Sequence, residues 1–145
     1  MIVIFKFLSK AKKERDDMLE LHIKGEATIQ VTKECTAESV GSGMLPVFAT
    51  PSMIALIEKA AAESVASLLE PGMTTVGTKL DIAHTAATPI GMKVRAESEL
   101  SEIDGRRLVF TVHAFDEAGE IGFGTHERFI VNAEKFLAKT NAKKQ

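Results

Sequence analysis

The sequence predicts an α+β fold in which one long helix is wrapped by a curved antiparallel sheet. Three observations carry this. The segment SMIALIEKAAAESVASLL holds twelve apolar residues in eighteen and no glycine. Four stretches of alternating polarity follow it, joined by turns too short for a parallel crossover. A helix apolar on most sides must be enclosed by other elements, and the strands are the only material left to enclose it.

Each element has a local cause. GEATIQVTK, from Gly25 to Lys33, alternates with Ala27, Ile29 and Val31 on one side and reads as a first strand. A loop of small residues, TAESVGSGMLP, leads to Thr50-Pro51, a hydroxyl N-cap followed by proline at the first helical position. Pro71-Gly72 stops the helix. Met73–Ala87, Gly91–Glu102, Arg106–Phe115 and Glu120–Val131 then read as a meander of strands. In the second of these, Met92, Val94, Ala96 and Leu100 oppose Lys93, Arg95, Glu97 and Glu99, which gives a sheet with one wet face. Asp104-Gly105 is a hairpin signal, and Glu117-Ala118-Gly119 makes a slightly longer turn.

Composition excludes several classes. The chain has 145 residues, 18 Lys and Arg against 20 Asp and Glu, and a net charge of −2. That is one ordinary domain without the basic field of a general nucleic-acid binder. A single cysteine, Cys35, rules out an internal disulfide and a Cys-rich zinc site, and fits a cytoplasmic protein. The apolar run Ile2–Leu8 is interrupted by Lys6 and is far short of the ~20 residues needed to span a bilayer, so no membrane insertion is expected. Its basic residues follow the apolar run, the reverse of a secretory signal. Residues 1–15 therefore read as a lead-in, 16–136 as the domain, and 137–145 as a polar tail.

Two ionisable residues stand where packing does not ask for them. The helical neighbours of Glu58 are Ile54, Ala55, Ala61 and Ala62, and it lies about 100° of rotation from the polar sector of Ser52, Lys59, Glu63, Ser67 and Glu70. A carboxylate there is either paired or functional. His84 falls on the face of its strand that period two gives to Val76, Leu80 and Ile82. Alone it reads as a core histidine; with Glu58 it forms a candidate acid/base pair between helix and sheet. Thr50, eight residues before Glu58, shares nearly the same helix face. In IGFGTHERF, Gly122, Gly124, His126 and Arg128 lie on one face. The glycines permit close approach, and Arg128 is suited either to an anion or to a salt bridge. His22 and His113 have no neighbours at ligand spacing, so no metal site is expected.

VFATPSMIALIE, VGTKLDIAHTAATPIGMKV and DGRRLVFTVHAFDEAGEIGFGTHERFIVNAEKF resemble the hotdog-fold acyl-CoA thioesterases related to fluoroacetyl-CoA thioesterase, over about Gly25 to Phe136. The resemblance implies a homodimer with sheets joined edge to edge, or two such dimers as a tetramer, with sites near the subunit interface. It implies a threonine, glutamate and histidine of catalysis at Thr50, Glu58 and His84, with Gly77, Arg128 and Met44 around the substrate. It implies hydrolysis of a short- or medium-chain acyl-CoA, with no cofactor beyond the CoA of the substrate. Met44 stands where the fluoroacetyl-specific enzyme has a phenylalanine lid, and Pro51 follows the threonine in place of glycine. Those departures imply a broader acyl range, set by how the Ser42–Pro46 loop closes. A ligand-sensing acyl-CoA-binding hotdog and a hotdog enoyl-CoA hydratase or dehydratase are the rival expectations.

Overall fold

The structure is a computed structural model that describes residues 18–144; the lead-in expected over 1–15 lies outside them. Strand β1 (Lys24–Gln30) is followed by a 3-10 turn (Lys33–Cys35), a short helix α1 (Ala37–Val40) and the 17-residue helix α2 (Thr50–Ala66). Strands β2 (Met73–His84), β3 (Lys93–Asp104), β4 (Arg107–Phe115) and β5 (Glu120–Asn132) come next, and helix α3 (Ala133–Asn141) follows them. All strand pairs are antiparallel, in the order β1-β3-β4-β5-β2. The sheet curls around α2, which is the hotdog arrangement.

The alternation read from the sequence sets the core. Val94, Ala96 and Leu100 of β3, Leu108, Phe110, Val112 and Ala114 of β4, and Ile121 of β5 are buried against Met53, Leu56, Ile57, Ala60, Ala61 and Val65 of α2. The charged residues of β3 point to the other face. The hairpin between β3 and β4 turns on Gly105-Arg106, one residue later than expected, with Asp104 opposite Arg107 and Gly105 at φ 58°.

Several elements differ from the sequence reading. β2 does not begin the meander: it crosses to the far edge and pairs with β5. The eight residues between β2 and β3 form no hairpin; they include the bridge Val47–Pro89 and the Phe48 N–H to Thr88 carbonyl bond, which tie them to the segment before α2. α2 ends at Ala66, five residues before Pro71, with Ser67 and Leu68 closing it through bonds to the Val65 carbonyl. The N-cap is Ala49, whose backbone is extended, and Thr50 is already the first helical residue. Residues expected to begin a polar tail instead form α3, capped by the Asn132 side chain on the Lys135 N–H.

One difference bears on the site. β2 carries a bulge between Gly77 and Lys79, so Thr78 is the extra residue. Opposed residues of an antiparallel pair share a face, and Gly77, Leu80, Ile82 and His84 are opposite Arg128, His126, Gly124 and Gly122. The helix-facing set before the bulge is therefore Thr75 and Gly77. Val76, which strict period two assigns to that face, points away.

Candidate active site

The helix-facing side of β2 and β5 and the adjoining flank of α2 carry nearly every polar group singled out above. They form two clusters. At the N-terminal end of α2, Thr50 Oγ1 lies 2.7 Å from His84 Nδ1, and which atom donates is set by the imidazole tautomer. As the first helical residue, Thr50 is past the capping position and turns its hydroxyl to the imidazole. His84 Nε2 is buried and has no partner. Desolvation pushes the imidazole pKa below the usual histidine value, opposed by the nearby Ala86 backbone. Both side chains line a cleft of about 290 Å³ with Ser42, Phe48 and the Thr85–Ala87 segment. The Thr85–Ala87 wall is held by the Ile121 carbonyl, and Thr88 just beyond it donates its hydroxyl to Asp116 at 2.8 Å. A larger hollow of about 410 Å³ lies over β1, β3 and β4, lined by Lys24, Glu26, Glu97 and His113, and contains none of these groups.

The second cluster surrounds Glu58. Its Oε2 lies 3.4 Å from Arg128 Nη1, and a Cβ placed on Gly77 would come within 2.5 Å of that oxygen. Gly77 is thus the floor on which the carboxylate rests. Arg128 is 7% exposed, and four of its five N–H donors are bonded within the protein. Its Nε reaches Thr75 Oγ1 (2.8 Å), Nη2 the Thr75 carbonyl (3.0 Å), and Nη1 both Glu58 and His126 Nε2 (3.2 Å). His126 and Thr75 are thus parts of this cluster that sequence reasoning did not assign to it. The only signal was the alternation that put His126 on one face with Arg128.

The glycines of β5 make room for β2 and for α2. A Cβ on Gly124 would strike the Asp81 carbonyl, and one on Gly122 would meet Met53 Sδ at 2.8 Å. Glu58 is not sealed as its apolar neighbours suggested: its side chain is 37% exposed, and Pro51 and Ala55 on the same flank are exposed. The cause is that β2 is a sheet edge, so nothing among the described residues covers α2 beyond it. Met44 is 90% exposed and stands clear of the Thr50–His84 cleft. Within one chain the two clusters are apart. Eight helical residues separate Thr50 from Glu58, about 12 Å at ~1.5 Å rise each. Among the described residues there is no group of His, Cys, Asp and Glu fit to hold a metal ion.

Comparison with known proteins agrees with this architecture. Residues 31–134 match the family model of the fluoroacetyl-CoA-specific thioesterase FlK. The fluoroacetyl-CoA thioesterase of Streptantibioticus cattleyicolor is 47% identical over 97 residues, 67% of this chain and 70% of that protein. A solved structure of FlK superposes with a TM-score of 0.82 at 37% identity, covering 86% of this chain and 97% of that one. A thioesterase superfamily member from Thermus thermophilus superposes with a TM-score of 0.79 at 29% identity, over 86% and 93% of the two chains. This chain belongs to the hotdog family of fluoroacetyl-CoA-specific thioesterases.

Proposed function

We propose that the protein is an acyl-CoA thioesterase for short- and medium-chain acyl groups, with a site completed by two copies of the chain. The observation that carries the reading is the Thr50–His84 bond at the cleft, which leaves His84 Nε2 buried and unpartnered. A buried imidazole nitrogen without a partner is costly unless a ligand or reacting group supplies one.

The edge position of β2 supports a second copy. Pairing β2 with itself about a two-fold axis at Leu80 sets Leu80 against its own copy and Lys79 against Asp81 of the partner subunit, a favourable cross-strand charge pair. It also brings His84 of the partner subunit beside Thr75 and Gly77, over Glu58. Each site of the dimer then combines Glu58, Gly77 and Arg128 of one protomer with the cleft at Thr50 and His84 of the other.

In that assembly Glu58 attacks the thioester carbonyl, giving a mixed anhydride, or draws the proton from the water that attacks. His84 orients that water and moves the proton toward the leaving sulfur, with Thr50 fixing its ring. The Gly77 N–H faces the developing oxyanion. The C–S bond breaks and CoA leaves as a thiolate that takes up a proton. By the water route the acid is then free; by the anhydride route a water molecule hydrolyses the Glu58 anhydride, releasing the acid and restoring the carboxylate. A thiolate is a fair leaving group, so no metal or resident cofactor is needed. The reading places the protein in the cytoplasm with its CoA substrates; among the described residues no helix is long and apolar enough to cross a membrane.

The test is thiol release from acetyl-, propionyl-, butyryl- and aryl-acyl-CoA. Glu58→Gln keeps an oxygen for Arg128 and removes the basic carboxylate, so kcat falls by about 10²-fold or more. Tight binding without release on every substrate points instead to a ligand sensor, and enoyl-CoA interconversion to a hydratase. Undiminished turnover in Glu58→Gln removes the carboxylate from the mechanism.

A further inference from the structure

Glu58 is held by a chain of buried groups that the hydrolysis does not itself consume. His126 is fully buried, and its Nδ1 lies 2.9 Å from the carbonyl of Lys79, the residue that closes the β2 bulge. A carbonyl only accepts, so Nδ1 carries the proton and Nε2 is left as an acceptor. Facing Nε2 at 3.2 Å is Arg128 Nη1, which only donates. Nη1 has two hydrogens: one goes to His126 and the other to Glu58 Oε2. The other side of the guanidinium is pinned at both Nε and Nη2 by Thr75. Hence the plane of Arg128, and with it the direction from which Glu58 is gripped, is fixed by His126 and Thr75.

We propose that His126 is a positioning residue of this thioesterase: as its neutral Nδ1–H tautomer it orients Arg128, and through Arg128 it holds the Glu58 carboxylate against Gly77. The inference rests on the reading of Glu58 as the reacting carboxylate. Loss of the Nε2 acceptor leaves a buried Arg128 N–H unsatisfied, and a guanidinium so placed rotates to find another acceptor. Glu58, more than a third exposed, follows it or swings into solvent. His126 is not among the residues that line the Thr50–His84 cleft, which stay in place, so the defect falls mainly on kcat and little on KM.

The experiment compares His126→Leu, which has no acceptor, with His126→Gln, whose Oε1 can reach the Nε2 position. Each is made alone and with Glu58→Gln, and kcat and KM for acetyl-CoA are measured. We expect His126→Leu to lower kcat by about ten-fold or more with KM changed less than about two-fold. His126→Gln restores most of the loss, and His126→Leu costs nothing further in the Glu58→Gln background. An equal loss in both backgrounds, or no recovery in a folded His126→Gln, overturns the proposal. Thr75→Val removes the acceptor of Arg128 Nε and tests the same chain should His126→Leu not fold; unchanged kcat there overturns it as well. NMR of the Arg128 side-chain N–H groups supplies a readout that needs no turnover. Separate, slowly exchanging Nη1 lines in wild type and His126→Gln, averaged in His126→Leu, support the proposal; identical lines in all three overturn it. Wild-type protein that releases no thiol refutes the thioesterase reading alone, and the NMR comparison still decides the role of His126.

Discussion

Gly77→Ala separates the catalytic geometry from the fold with a single methyl group. The added Cβ would stand 2.5 Å from Glu58 Oε2, 3.3 Å from His126 Cε1 and 3.4 Å from Arg128 Nη1. Ordinary contact begins at 3.4 Å, so the carboxylate oxygen has to retreat by 3.4 − 2.5, or about 0.9 Å. His126 and Arg128 are buried and multiply bonded, whereas Glu58 is partly exposed, so the carboxylate is the group that yields. A displacement of ~1 Å at a reacting group costs on the order of 10²-fold in rate. Stability moves little or upward. Gly77 has no left-handed φ, and replacing such a glycine by alanine gains about 0.4–1 kcal/mol by restricting the unfolded chain. That gain offsets the weakened contact between Glu58 and Arg128, which is screened by solvent on the carboxylate side. Thiol-release kinetics and a thermal melt on the same sample check both halves. Full kcat in Gly77→Ala, or loss of activity only in step with loss of the folded state, refutes the reasoning.

Stability has a signed pH dependence. Burial lowers the pKa of both His84 and His126 below the ordinary 6.5, so the folded state binds fewer protons than the unfolded chain once pH falls under that value. Their contribution is therefore fully present above about pH 7 and is lost as pH drops through the lowered folded values. Thermal midpoints measured from pH 8 to pH 5 form a plateau and then fall, and a midpoint that rises over the acid half contradicts the assignment. Leu80→Arg tests the two-fold edge: it sets two positive charges against each other on the axis, while position 80 is 38% exposed in the single chain. Sedimentation is expected to show a folded monomer with little activity; an active dimer refutes pairing through the middle of β2.

Sequence pattern made much of the fold legible where one face of an element is dry. The alternation of β3 as far as Leu100 and the apolar run of α2 as far as Ala66 carry over into the structure, because burial of one side leaves no other register. β2 was less legible. Its place at the sheet edge depends on a connection that makes no hairpin, and its bulge is invisible to a rule of strict period two. Glu58, His84 and Thr50 stood out because each violates or closes a pattern. Two physical facts were hidden. Thr50 and His84 bond to each other at one end of α2 while Glu58 bonds to Arg128 farther along it, since residues on one helix face can still lie two turns apart. His126 gave little sign of its role, because a buried histidine with satisfied nitrogens looks from sequence like any core residue.

The bulge at Thr78 settles a question of parity. Gly77 and His84 are seven positions apart, an odd number, and in an unbroken strand they would look to opposite sides. By letting one residue drop out of the count, β2 turns an odd spacing into an even one and sets both on the inner side. The two halves of the strand are phased against each other, and each half carries one end of the chemistry. Deleting Thr78 itself would remove the bulge and keep Gly77 and His84 on the inner side, whereas deleting any other residue between them, with the bulge retained, would send one half of the site to the wrong side of the sheet.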